Sequence, residues 1–339
     1  MKKKIPDKPK KIIIRVPNWL GDVMMCLNTL INIIHAYPDS SITILISDKL
    51  VEIPRVFLPG VEVISINFSS REQVKNLIPQ IKSNNFDLGI IFPVSFSSAF
   101  ILKKAGVEYL IGYNAELRGF LLDCSLKYSK NAFRKQHLKK SYGSVFTQLT
   151  GKEPETYSVK FSVSDVEKNN ILSKFGLAEK PYFILSPGAA YGAAKRWNFN
   201  YYIIAAKHIL DEYGYIPVLT GIPEEVDITI RIPDKFINLI GKTSLVELIC
   251  ITESSKLFIS NDSGSMHIAD ILGVPLIAIF GSTNPDWTGP TGNNSTVLKS
   301  EVSCSPCYKK DCKLDFICLN KIQPEHVLDT IRKKLKDKE

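Results

Sequence analysis

Residues 256–281 read KLFISNDSGSMHIADILGVPLIAIFG. An apolar run ends at Asn261-Asp262, a helical pattern covers Ser263 to Leu272, and a second apolar run closes at Gly281. Strand, helix and strand in so short a stretch make a βαβ unit, whose two strands must run parallel. Working outward, YFILSPG (182–188), YIPVLTG (215–221) and FINLIG (236–241) precede it, with helical patterns from Asn198 to Tyr213 and from Ser244 to Ser255. Further upstream, KIIIRVP (11–17), SITILIS (41–47), EVISIN (62–67) and DLGIIFP (87–93) alternate with helical patterns from Asp22 to Tyr37 and from Ser70 to Asn84. Apolar strands separated by helices predict parallel sheets covered on both faces, an α/β chain of the doubly wound kind. A polar stretch, Gly151 to Ser164, separates the two series and predicts domains at 1–165 and 166–339. Two such domains are expected to face each other across a cleft at their strand ends. An amphipathic helix is expected after Pro324.

At 45% hydrophobic and 23% charged residues, the 339-residue chain is neither disordered nor collagen-like. No apolar stretch reaches the ~18 residues that a bilayer span needs. The first apolar run, Ile12 to Ile14, is too short for a signal-peptide core, so a cytoplasmic location is expected. Seven cysteines, an odd number, argue against a disulfide framework. The formal charge of +9 is lopsided: residues 1–165 hold 23 Lys+Arg and 14 Asp+Glu, whereas residues 166–339 hold 20 of each. A one-sided field points to a polyanion or an anionic membrane surface, although Lys-rich ends such as Lys2 to Lys4 also serve solubility alone.

Three loops carry residue types with chemistry. In Val16-Pro17-Asn18-Trp19-Leu20-Gly21-Asp22, Asp22 lies at the carboxyl end of a strand, where it can accept a proton from a hydroxyl; the same position suits a helix N-cap. In Pro187-Gly188-Ala189-Ala190-Tyr191-Gly192-Ala193-Ala194-Lys195-Arg196-Trp197, small residues let backbone N–H groups approach a phosphate and Lys195 supplies a cation. In Ser260-Asn261-Asp262-Ser263-Gly264-Ser265-Met266-His267, Ser263 and Gly264 present free amides at a helix start, a site for a pyrophosphate, and Asp262 can hold a sugar hydroxyl. A plain N-cap and a core His267 remain the alternatives there. Glu224 and Glu225 follow Gly221 and are placed to accept hydrogen bonds from a ribose.

WLGD at 19–22, GAAYGAAKRW at 188–197, GKTSL at 241–245, NDSGSMHIADILGVPLIAIFG at 261–281 and TGP at 288–290 together resemble the lipopolysaccharide heptosyltransferases of glycosyltransferase family 9. The resemblance spans nearly the whole chain, and YGAAKRW with the late cysteines is nearer the heptosyltransferase II branch than heptosyltransferase I. It implies the GT-B architecture, two Rossmann-like domains with acceptor bound by the first and nucleotide sugar by the second. Asp22 then matches the catalytic base. Ala190, Tyr191, Lys195, Asp262, Ser263, Gly264 and His267 match donor-binding positions, and Glu225 the acidic residue near the nucleoside. Arg118, in GYNAELRGFLL (112–122), matches the acceptor domain and is expected to contact the acceptor, with Arg134, Lys135, Lys139 and Lys140 as a steering group. Implied partners are an ADP-heptose donor, the anionic inner core of lipid A and the inner-membrane surface as a peripheral site; no cofactor is implied and no nucleic acid expected. Ala193-Ala194 departs from the Pro-Ala frequent in the family.

Cys304, Cys307, Cys312 and Cys318 follow a C-x2-C-x4-C-x5-C spacing that can enclose a metal or pack as reduced thiols, and the catalytic proposal takes no metal. Two other functions stay open: another family 9 transferase with a different sugar or acceptor, and a non-catalytic polyanion-binding protein of the same fold.

Overall fold

The computed structural model describes residues 4–226 and 231–336; Lys2 and Lys3 of the basic leader lie outside the described residues. The chain divides into two compact units, Met1–Ser162 and Val163–Glu339. The first holds β1 (Lys11–Arg15), β2 (Ser41–Ser47), β3 (Glu62–Ile66), β4 (Leu88–Ile91), β5 (Tyr109–Asn114) and β6 (Cys124–Lys127), in the order β3-β2-β1-β4-β5-β6. The second holds β7 (Tyr182–Ser186), β8 (Ile216–Leu219), β9 (Ile237–Asn238), β10 (Phe258–Asn261), β11 (Leu276–Phe280) and β12 (Ser295–Lys299), in the order β12-β11-β10-β7-β8-β9. All neighbouring strands are parallel.

Counted from its own first strand, each sheet runs third, second, first, fourth, fifth, sixth. In that order the winding reverses between β1 and β4 in one unit and between β7 and β10 in the other. In sheets of this order, loops leaving the two central strands turn to opposite faces, the place where such folds bind ligands. The central strands read as continuous apolar runs because helices cover both faces: Ile12, Ile13 and Ile14 of β1 and Phe183, Ile184 and Leu185 of β7 are wholly buried.

Helix starts follow their caps. Ser70, Asn198 and Ser244 each accept a backbone N–H of the first turn, and Ser244 with Glu247 forms a reciprocal capping box. The stretch expected to be a linker is fastened to the first unit for most of its length. Asn28 and Asn32, one turn apart on the helix Leu20–Ala36, accept the N–H groups of Tyr157 and Glu155 at 2.9 and 2.8 Å and donate to the Glu155 carbonyl. Ser162 N–H donates to the Val56 carbonyl, and Ser164 then caps the helix Asp165–Lys174. The division therefore falls between Ser162 and Val163, three residues ahead of the expected 165.

Candidate functional site

In the first unit the loop after β1 is shaped by a buried cation. Arg15 is 3% exposed, stacks its guanidinium 3.6 Å from the Phe68 ring centroid and donates to the carbonyls of Val16 and Leu45. Its Nη2 donates to Asn18 Oδ1 at 2.5 Å, which holds the turn into the next helix. Burial pushes the Arg15 guanidinium down to about 9. The helix starts at Leu20 with Trp19 as a cap residue that makes no side-chain bond, so Asp22 is its third residue and not its N-cap. Asp22 is half-buried. Burial first, and the Asp22 charge second, push the Cys26 thiol and the Tyr142 phenol upward. Tyr142 packs edge-on against Phe92, which follows β4, with ring centroids 5.4 Å apart. Asp22 thus lies within electrostatic reach of Cys26 on its own helix and of Tyr142 on the helix Leu138–Thr150.

Arg118 is held within the first unit. It is 0% exposed: Nε donates to the Tyr113 carbonyl at 2.8 Å, and Nη1 to the Ser95 carbonyl at 2.7 Å and Ser98 Oγ at 2.9 Å. Burial lowers the guanidinium to about 10. The side chain braces the loop after β5 against the helix Phe96–Lys104, and its buried Nη2 finds no hydrogen-bond partner among the described residues.

In the second unit, loops after β7, β8, β10 and β11 converge. Lys195 Nζ lies 2.5 Å from Asp262 Oδ2, with side chains 13% and 5% exposed, and Thr283 Oγ1 donates to the same oxygen at 2.6 Å. The Lys195 ammonium also stands 5.1 Å from the Tyr191 ring centroid. Ala190 and Tyr191 are exposed, and Ser263 and Gly264 half-exposed at the start of the helix Gly264–Ile271. Ser263 makes no side-chain cap bond; its hydroxyl joins a chain through Ser265 Oγ (2.9 Å) to Ser186 Oγ (2.8 Å) and, on the other side, meets Ser260 Oγ (3.1 Å). His267, within the same helix, is 3% exposed, as a core histidine is. Glu225 is half-buried at the end of the short turn Pro223–Glu225, and a Cβ placed on Gly188 would lie 3.4 Å from its Oε2. Burial pushes the Glu225 carboxyl up, and Arg196 opposes that rise.

The residue that unites these loops was absent from the expected set. Asn261, wholly buried at the end of β10, donates to the Pro187 carbonyl at 2.6 Å and accepts from Trp197 N–H at 2.9 Å and Tyr202 OH at 3.0 Å. One amide therefore clasps both ends of the Pro187–Trp197 loop. The cysteine segment closes the loop's outer side. Tyr308 accepts from Tyr191 OH at 2.8 Å, the Lys310 carbonyl accepts from Ala194 N–H at 2.9 Å, and Tyr308 N–H donates to the Ser282 carbonyl at 2.7 Å. Gly192 has φ +151°, and a Cβ there would lie 2.5 Å from the Lys310 oxygen, so only glycine fits. Asn261 and Thr283 were legible as polar residues at strand ends; Tyr308 and Lys310 carry no local signal.

Among the described residues no group of three or more His, Cys, Asp or Glu side chains is placed to hold a metal ion. Cys312 Sγ accepts N–H bonds from Leu314 and Phe316, both at 3.3 Å, and Cys318 is buried in the core. No helix among the described residues is long and apolar enough to cross a membrane.

What the arrangement offers is a half-buried ammonium and open helix amides at one switch point with a half-buried carboxylate from the loop after β8, groups that suit an anionic nucleotide. The lipopolysaccharide heptosyltransferase 2 of Escherichia coli is 25% identical over 342 residues, covering 95% of this chain and 97% of its own. The solved structure of the E. coli ADP-heptose lipopolysaccharide heptosyltransferase II superposes with a TM-score of 0.80 at 25% identity, over 97% of this chain and 99% of that one. A family 9 glycosyl transferase from Veillonella parvula, at 22% identity, shares the two-sheet GT-B fold with a TM-score of 0.82 over 97% and 98% of the two chains. The family described as glycosyltransferase family 9 (heptosyltransferase) matches residues 74–317, and the chain belongs to that family.

Proposed function

We propose that the chain is an inverting transferase that moves heptose from ADP-heptose onto the inner core of lipopolysaccharide, in the manner of heptosyltransferase II. The observation that carries the reading is the Lys195–Asp262 pair at the head of the Gly264–Ile271 helix, in a chain of this family. Asp22 takes the proton of the acceptor hydroxyl while that oxygen attacks the anomeric carbon. The bond from that carbon to the diphosphate breaks, and ADP leaves with the electron pair. Lys195 and the amides of Ser263 and Gly264 meet the growing phosphate charge. Asp262 holds Lys195 in place and accepts from a sugar hydroxyl, His267 supports the same loop from within, Ala190 and Tyr191 line the phosphate side, and Glu225 accepts from the ribose. The basic first unit takes the anionic acceptor at the membrane surface.

The test offers ADP-heptose with two acceptors, inner cores carrying no heptose and one heptose. Turnover of the second only is expected. Turnover of the first only makes the protein a heptosyltransferase I, and turnover of neither sinks the reading.

A further inference from the structure

An exposed apolar cluster surrounds the buried Arg118. Phe96 and Phe100 stand one turn apart on the helix Phe96–Lys104, their rings stacked with centroids 5.9 Å apart, and the Phe120 ring lies 6.3 Å from Phe96. Leu117 adjoins them through Glu116, whose carboxylate accepts the Phe96 N–H at 2.7 Å. Phe96, Phe100, Leu117 and Phe120 are 37%, 43%, 89% and 75% exposed. With ~200 Å² for each large side chain, about 500 Å² of apolar surface meets water, in the range of about 300–600 Å² of the largest patch on a typical monomer, which often carries a function.

The display is built, not incidental. Glu116 and Leu117 both hold positive φ, 48° and 57°, which costs a residue with a Cβ of order 1 kcal/mol or more. Arg118 anchors this tip from beneath through Ser95, Ser98 and Tyr113, and thereby ties it to the helix that carries the two phenylalanines. Gly119 permits the turn, since a Cβ there would lie 2.7 Å from Asn114 Oδ1.

Charge and area select the occupant. Lys103 and Lys104 close the same helix, Lys103 at 3.5 Å from Asp123 Oδ2 and the Lys104 ammonium 5.8 Å from the Phe100 ring centroid, in the half of the chain that holds the whole +9 excess. A stable dimer needs about 800 Å² per partner, which this cluster does not reach. Apolar tips rimmed by lysines suit a lipid interface, where the tips enter the acyl boundary and the ammonium groups stay among anionic headgroups. We propose that Phe96, Phe100, Leu117 and Phe120, with Lys103 and Lys104, dock the first unit onto the surface of an anionic bilayer. This deepens the function proposed above, because it rests on an acceptor that is lipid-borne.

The full chain is co-sedimented with vesicles of phosphatidylethanolamine and phosphatidylglycerol, and with vesicles of phosphatidylcholine alone. Binding to the anionic vesicles is expected, with at least a tenfold loss of partition for Leu117→Ser/Phe120→Ser and about a fivefold loss for Lys104→Gln, at unchanged thermal midpoints. Equal binding by the double variant overturns the proposal. So does a wild-type chain that ignores anionic vesicles, or one that sediments as a dimer which the double variant dissociates. Turnover of a water-soluble, deacylated acceptor should be the same in wild type and double variant; its absence from both would sink the proposed function and leave the vesicle result to decide the docking surface.

Discussion

The ammonium of Lys195 and the carboxylate of Asp262 meet at 2.5 Å, one on the loop after β7 and the other at the end of β10. The pair spans the point where the second sheet reverses its winding, so the strand order itself sets the distance between cation and anion. Removing one partner of a buried pair leaves the other uncompensated, which costs about 3 kcal/mol or more. Lys195→Ala is therefore expected to lower the unfolding free energy in urea by that order. If the proposed function holds, saturating ADP is expected to raise the parent's thermal midpoint, by about 2.7 kcal/mol of stabilisation at a hundredfold excess over Kd, and Lys195→Ala should abolish that rise. A variant that ADP still stabilises fully would place the diphosphate elsewhere.

Asp22→Asn keeps the size of the side chain and removes its basicity. Turnover should fall by ~10²-fold or more with little change in either Michaelis constant. The thermal midpoint should move only slightly, because a carboxylate in a first helical turn contributes about 0.3–1 kcal/mol. Turnover within tenfold of the parent would remove Asp22 from the chemistry.

Asn261 both donates and accepts in a site that water does not reach. Asn261→Asp cannot donate to the Pro187 carbonyl and introduces a charge beside it. A loss of about 3 kcal/mol in urea unfolding is expected, larger than that of Asn261→Ala in donor affinity as well as stability. Calorimetric binding of ADP together with the denaturation curve measures both.

Glu225 gives a pH signature. Its folded carboxyl is raised by burial, so folding favours the protonated form. Its contribution to stability is present below the unfolded carboxylate range and lost as pH rises through the folded value; at neutral pH the ionised group is a cost. Glu225→Gln should raise the thermal midpoint at pH 7, the gain should shrink toward pH 4, and ADP affinity should fall several-fold. A midpoint gain that does not depend on pH would deny the titration its role.

Arg118→Ala should lower stability by about 3 kcal/mol, because the tip at Glu116 and Leu117 loses its anchor. Its effect on the Michaelis constant for a soluble acceptor should be small, the opposite of what a contacting residue gives. Steady-state kinetics alongside thermal unfolding separates the two.

The central strands were legible because each is an unbroken apolar run between turns, and β7, β10 and β11 fall inside the runs read from the sequence. Three strands escaped. β6 and β12 sit at sheet edges, where one face is wet and the apolar signal thins, and both are only half-buried. β5 is interrupted by Gly112, required because a Cβ there would lie 2.9 Å from the Ile91 carbonyl. The Pro187–Trp197 loop and the Ser260–His267 turn were legible because their residues are local in sequence. Arg15 and the cysteine segment became partners only through folding. Arg118 shows the converse: a motif fixes a position in the chain, but whether its charge meets solvent or backbone depends on what packs over it.

The shared strand order also governs how the chain reaches this structure. β1 is made first, yet it lies in the middle of its sheet, and Ile12 pairs with Leu88, 76 residues later. Likewise Ile184 of β7 waits for Phe258, 74 residues on. Neither sheet can close from neighbouring segments, and closure across such separations is slow, with Ile-rich edges open to other chains in the meantime. The first unit nevertheless has everything it needs once Ser162 has emerged. At 5–20 residues per second, the second unit takes about 9–35 s to synthesise, long enough for the first sheet to form alone. Nascent chains arrested after Ser162 should therefore already resist protease, whereas those arrested between β7 and β10 should carry an unprotected, aggregation-prone β7.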